Sequence, residues 1–131
     1  MNHGFSLIEL LMVLAITSIL AAISYPTYRD YRVRAHRLEG QSALLDLACR
    51  MERYYSEHHT YQTATIGTSN KTDVSSLVQS PGHLYTLSIA NATKNTYLLQ
   101  ATSLTQDKQC PVLTLSHSGT KGPSDGILPC W

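Results

Sequence analysis

The sequence predicts an α+β fold: one long N-terminal helix whose second half packs on a small antiparallel sheet of three to four strands, followed by a loop-rich tail. Three observations carry this. Residues 5–25 form an apolar run holding a single charge, Glu9. Apolar residues then recur at three- and four-residue spacing to about His58, the period of a helix. After Gly82 the period changes to two, the period of strands.

The first half of the helix is a membrane-length element. At 1.5 Å per residue the 21 residues from Phe5 to Tyr25 reach about 30 Å, the thickness of a bilayer's hydrocarbon. A cleaved secretory signal ending near Ala21-Ala22 is the plain alternative, but Met1-Asn2-His3-Gly4 carries no Lys or Arg and the apolar run contains an acid. A carboxylate there is costly without a partner. If the chain is cut between Gly4 and Phe5, the new α-ammonium lies four residues before Glu9, on the same helix face. The two charges then neutralise each other within a chain or between neighbouring chains.

Gly4-Phe5-Ser6-Leu7-Ile8-Glu9-Leu10-Leu11 resembles the processing signal of type IV pilins and type II secretion pseudopilins. The resemblance implies a prepilin leader at 1–4, cleavage after Gly4 by a prepilin peptidase and N-methylation of Phe5. It also implies an assembly ion pair between Glu9 and the Phe5 amine of an adjacent subunit. Residues 5–25 become a transmembrane and assembly helix, and 26–131 a periplasmic head that includes the helix's second half. The implied partners are other pilin subunits in a helical filament, the prepilin peptidase, the assembly platform of a bacterial inner membrane, and that membrane itself before export to the extracellular pilus.

Beyond Tyr25, Pro26 predicts a bend. Tyr25, Tyr28 and Tyr31 interleave with Arg29, Arg32, Arg34 and Arg37, a pattern suited to a membrane interface or a packed filament core. The stripe Leu44, Leu47, Ala48, Met51, Tyr55 is the apolar face that covers a sheet, Gly40 is the weak link, and Asp46–Arg50 and Arg53–Glu57 pair on the other side.

Residues 60–82 are rich in Thr, Ser, Gln and Asn and read as a loop with at most a helical turn near Val74 to Val78. Leu84 to Ile89, Tyr97 to Ala101 and Val112 to Leu115 then make three strands, with turns at Asn91–Asn95 and Gln106–Gln109. The stretch 119–126 reads as loop. Of three cysteines, spacing favours Cys110 with Cys130, because Cys49 sits in the helical pattern; pairings of Cys49 with either remain open. Closing about 20 residues contributes on the order of 3 kcal/mol.

Charge and chemistry narrow the function. Residues 27–55 hold six Arg against four acids and 56–131 four Lys against four acids; with Glu9 the sum is +1. No segment announces a nucleic-acid partner by charge alone. His58 and His59 diverge by about 100° on a helix, and no thiol or carboxylate sits at ligand spacing, so neither metal nor cofactor is expected. No nucleophile or coupled acid pair suggests an enzyme.

A second resemblance covers most of the chain. Gln41-Ser42-Ala43-Leu44-Leu45-Asp46-Leu47-Ala48, Glu52-Arg53-Tyr54-Tyr55, Asp107-Lys108-Gln109-Cys110, Leu113-Thr114-Leu115, Gly119 and Cys130-Trp131 are similar to PilE-like minor pilins, the group that includes the DNA-receptor pilin ComP. It implies a pilus subunit, minor rather than major, serving assembly with motility, adhesion or DNA uptake. A type II secretion pseudopilin and a DNA-binding receptor for natural transformation are the alternatives. Lys94, Lys108 and Lys121, potentially gathered at one sheet edge and offset by Asp107 and Asp125, are the candidate DNA contacts.

Overall fold

The computed structural model describes residues 6–105, 107–123 and 130–131. Its elements are α1 (Leu7–His58), β1 (Thr65–Ile66), β2 (Asp73–Ser75), β3 (Tyr85–Ala92), β4 (Tyr97–Ser103), β5 (Val112–Ser116) and β6 (Lys121–Gly122). The chain forms two compact units, one ending at Arg34 and one beginning at Ala35.

In the first unit the residues from Leu7 on are all helix. Its 18-residue apolar window has a mean hydropathy of 2.4, and none of it is buried. The hydroxyls in this greasy stretch are satisfied locally: Thr17 donates to the Val13 carbonyl at 2.9 Å, Ser18 to Ala15 at 2.8 Å and Ser24 to Leu20 at 2.9 Å. Such back-bonding lets a Ser or Thr sit in an apolar medium without an unpaired donor. Pro26 lies inside α1 without ending it.

The second unit is helix on sheet. Gly40, Ala43, Leu44, Leu47, Met51 and Tyr54 form the buried helix stripe. They meet the inner-face residues Tyr85, Leu87, Leu99, Ala101, Leu113 and Leu115 in one apolar cluster. Tyr54 is more deeply buried than Tyr55, so the stripe turns slightly from the expected one, with Ala48 and Tyr55 at its margin. Gly40 is no weak link but a fitted one. A Cβ at this position would sit 3.0 Å from the Tyr85 ring, so the missing side chain is what lets the helix lie on β3.

The sheet has the order β3-β4-β5-β6, antiparallel throughout, with Leu87 opposite Ala101 and Leu99 opposite Leu115. The sheet reaches four strands, within the three to four expected, because Lys121–Gly122, expected in a loop, pairs with Thr114–Leu115. Gly119 at φ 79° makes the return, and Gly122 leaves room for the Thr114 hydroxyl. The stretch 60–82 also departs from expectation. It contains the short parallel pair β1–β2 and no helical turn. The Asp73 carboxylate explains this: it accepts hydrogen bonds from the Thr65 hydroxyl at 2.6 Å and from the Thr68 and Ser69 amides at 2.8 and 2.6 Å, drawing the loop shut. Those bonds, Thr65's first, hold Asp73 below its ordinary pKa.

Cys110 and Cys130 are joined, their Cα atoms 5.7 Å apart, and Cys49 is free and exposed on α1. This settles the pairing. Of the two helix ion pairs expected, Asp46–Arg50 forms at 2.8 Å; Arg53–Glu57 is not among the pairs the described residues make.

Candidate functional site

The candidate residues fall in two regions: the start of α1 and the surface of the head. Gly4 and Phe5 lie outside the described residues. Glu9 does not. Its Oε2 accepts the Ser6 backbone N–H at 2.9 Å, while the Ser6 carbonyl receives the Glu9 and Leu10 amides at 3.0 and 3.2 Å. This is half of a capping box, Ser-x-x-Glu, with the acid in the first turn where the helix dipole favours it. The four-residue signature is legible in the sequence, where a processed Phe5 offers the same acid a more conspicuous partner.

In the head, the disulfide region is tied to α1 by a buried ion pair. The Arg37 guanidinium donates to both Asp107 oxygens at 2.6 and 2.9 Å and to Gln109 Oε1 at 3.0 Å. Asp107 also accepts the amides of Gln109 and Cys110, each at 3.1 Å. The hydrogen bond from Arg37 is the main reason that Asp107 stays below the usual carboxylate range, and it raises Arg37 in turn. Gln41 donates to the Cys130 carbonyl at 2.8 Å, and the Trp131 indole donates to the Gly122 carbonyl at 2.8 Å. Asp107 is therefore spent on folding and offsets no nearby lysine. Asp125 lies outside the described residues.

A second latch sits toward the other end of the helix stripe. Glu52 accepts the hydroxyls of Tyr97 and Tyr61 on its two oxygens, both at 3.0 Å. Burial, then Glu52, pushes the Tyr61 phenol up to about 12, and Tyr97 rises for the same reasons. His58 stacks on Tyr54 with ring centroids 4.0 Å apart, and His59, just past the helix, has φ 56°.

The candidate lysines do not converge. Lys94 is exposed in the β3–β4 turn and Lys108 is exposed in the β4–β5 connection, at opposite ends of β4, whose seven residues span roughly 20 Å. Lys121 stands on edge strand β6, its ammonium 5.0 Å from the Trp131 ring. The meander sets Lys108 at the other end of the sheet, because successive turns fall at alternate ends; Lys121, paired with Leu115, lies toward the Lys94 end but across β5 on the edge strand. The structure instead brings Arg50, Arg53 and Lys71 around one cleft with Tyr54, His58 and two acids, Glu57 and Asp73; Arg50 is paired with Asp46. Nothing in the sequence spacing joins Lys71 to the helix; the β1–β2 pairing does. The Lys94 carbonyl accepts the Tyr61 amide at 3.3 Å, which ties the β3–β4 turn to the segment after α1. No metal-binding cluster of three occurs among the described residues.

A long apolar helix continuing onto a four-stranded antiparallel sheet, with a disulfide-closed C-terminal region, defines a type IV pilin fold. The solved non-core minor pilin PilV of Neisseria meningitidis has it, at 29% identity and a TM-score of 0.51, covering 70% of this chain and 86% of that one. So does a type IV pilin from Shewanella oneidensis, at 27% identity and a TM-score of 0.53, covering 75% and 96%. Among curated relatives, a fimbrial protein of Neisseria meningitidis serogroup A is 34% identical over 76 residues, 56% of this chain and 45% of that protein. The type IV major pilin protein PilA of Myxococcus xanthus is 38% identical over 60 residues, 46% of this chain and 27% of that protein. The chain thus spans less than half the length of these curated relatives.

Residues 1–25 match the prokaryotic N-terminal methylation motif. Residues 26–114 match the family described as type IV minor pilin ComP, DNA uptake sequence receptor, and the chain belongs to that family. Type IV pilins are structural proteins, not enzymes.

Proposed function

We propose that this chain is a minor subunit of a type IV pilus whose head binds DNA at the filament surface during uptake. The observation that carries the reading is the match of residues 26–114, most of the helix and sheet of the head, to a family described as a DNA uptake sequence receptor. Under this reading residues 1–4 are removed after Gly4, Phe5 is methylated, and 5–25 hold the precursor in the inner membrane before packing with other pilins. The head, 26–131, faces the periplasm and then the exterior. Motility and adhesion follow from the filament, DNA uptake from the head.

The cations offered to phosphates are Arg53 and Lys71, which share a cleft with Glu57 and Asp73, and Lys94, exposed in the β3–β4 turn. Lys108 and Lys121 stand apart and would each add a single contact. A mobility shift of duplex DNA by the detergent-solubilised chain tests this. Affinity should fall with salt, with a log–log slope near −0.9 per phosphate contacted, and Arg53→Gln with Lys71→Gln and Lys94→Gln should reduce that slope by about 3. Absence of a shift at low salt sinks the reading. The rival, a type II secretion pseudopilin, is addressed by sheared surface fibres: a pilin is recovered in them, a pseudopilin is not. Mass spectrometry of the mature N-terminus should find methylated Phe5.

A further inference from the structure

We infer that one face of α1, formed by Tyr25, Tyr28, Arg29 and Arg32, is a binding site for an anionic phospholipid headgroup. The inference rests on the proposal that the apolar half of α1 sits in a bilayer. At 100° per residue these four side chains fall within about 100° of the helix circumference, while Asp30 lies on the opposite side, one turn from Arg34. Arg29 and Arg32 are therefore adjacent cations on a face without an acid.

Three observations point to a headgroup as the occupant. Tyr25 lies 18 residues beyond Leu7, so the helix has risen about 27 Å and reached the boundary of the hydrocarbon there. Tyr25 and Tyr28 are 68% and 62% exposed, and Arg29 and Arg32 are exposed as well. Among the described residues no carboxylate pairs with either guanidinium, although Arg37 and Arg50 on the same helix are both paired. Phenol rings belong at headgroup depth, and two guanidiniums one turn apart can each present a fork of donors to a phosphate. A zwitterionic lipid offers the same phosphate with its own ammonium attached; an anionic lipid offers it with net charge, worth roughly fivefold per cation at the surface. When the helix leaves the membrane for a filament, these two arginines must exchange the headgroup for another counter-charge. An anionic membrane thereby retains the precursor.

The test uses the full chain in phosphatidylcholine vesicles carrying a trace of spin-labelled phosphatidylglycerol or spin-labelled phosphatidylcholine. The motionally restricted fraction gives a relative association constant. It should be about 5 or more in favour of phosphatidylglycerol for the native chain, near 1 for Arg29→Gln/Arg32→Gln, and unchanged for Arg34→Gln. These substitutions are on an exposed helix surface and leave folding intact. Equal restriction of the two lipids by the native chain overturns the inference while leaving the membrane reading standing. An effect of Arg34→Gln as large as that of the double variant also overturns it, because the preference would then reflect net charge rather than this face. No restricted lipid of either kind sinks the membrane reading along with it.

Discussion

Arg37 and Asp107 are 70 residues apart and together decide where the disulfide region sits on the helix. Their side chains are 8% and 4% exposed, so each is a charge held away from water by the other. Removing one partner leaves the second buried and uncompensated. Asp107→Ala should therefore lower unfolding free energy by about 3 to 5 kcal/mol in urea titrations, whereas Lys108→Ala next to it should change little. The same pair sets an acid limit. Because Asp107 titrates below its ordinary value of 3.8 when folded, its contribution is complete above that value and is lost as pH falls through the folded pKa. Native stability should accordingly drop below about pH 4, and Asp107→Asn should flatten that part of the profile. Tyr61 works at the other end of the scale. Its folded pKa is raised to about 12, so its contribution is full below the ordinary 10.0 and disappears as pH rises through 12. Tyrosinate absorbance should show a late phase near pH 12, reduced by Tyr61→Phe.

At the scale of elements, the contact of α1 with β3 turns on Gly40. Alanine gains about 1 kcal/mol of helix propensity over glycine but places a Cβ 3.0 Å from the Tyr85 ring, so Gly40→Ala should be close to neutral. Gly40→Leu has no such room and should cost about 2 kcal/mol or more, measured as a shift in the denaturation midpoint at constant slope. The sequence carried much of this architecture openly. Apolar spacing placed α1 and the three main strands, since those elements bury one face and period follows burial. Cys110 and Cys130 were favoured because Cys49 lay in a helical pattern. What stayed hidden depended on contacts between distant residues. Gly40 reads as a helix defect until Tyr85 is set against it. Asp73 reads as a loop acid until its hydrogen bonds close β1 onto β2. Lys121–Gly122, with no apolar pattern of its own, becomes a strand because Gly119 turns it back along β5. The lysines show the same limit: hairpin turns fall at alternate ends of a sheet, and even correct strands did not reveal which cations would share a surface. The element most dependent on a covalent tie is the C-terminal region. Reduction, or Cys110→Ser with Cys130→Ser, should cost on the order of 3 kcal/mol and loosen β6 first, seen as earlier amide exchange at Lys121 and Gly122 than at Leu99.

At the scale of the whole molecule, Glu9 carries two roles that ordinary substitution would confuse. In the structure its carboxylate caps α1 by accepting the Ser6 N–H. In the proposed filament it neutralises the ammonium of a processed Phe5, one residue before Ser6 in sequence. The first role needs a hydrogen-bond acceptor, the second a negative charge. Glutamine separates them, since its amide oxygen accepts the Ser6 N–H but carries no charge, whereas alanine removes both. The cap is worth about 1 kcal/mol, little beside the rest of a 52-residue helix, so neither variant should lose the helix or its place in the membrane fraction. An unpaired ammonium buried among apolar helices costs several kcal/mol, enough to reduce incorporation more than tenfold. Glu9→Gln should therefore be cleaved, methylated and retained in the membrane, yet be nearly absent from sheared fibres, and Glu9→Ala should match it. If Glu9→Gln enters fibres as the native chain does while Glu9→Ala does not, the carboxylate is a helix cap and no more. The acid in the apolar run would then owe its place to α1 alone, and assembly would have to find its register elsewhere.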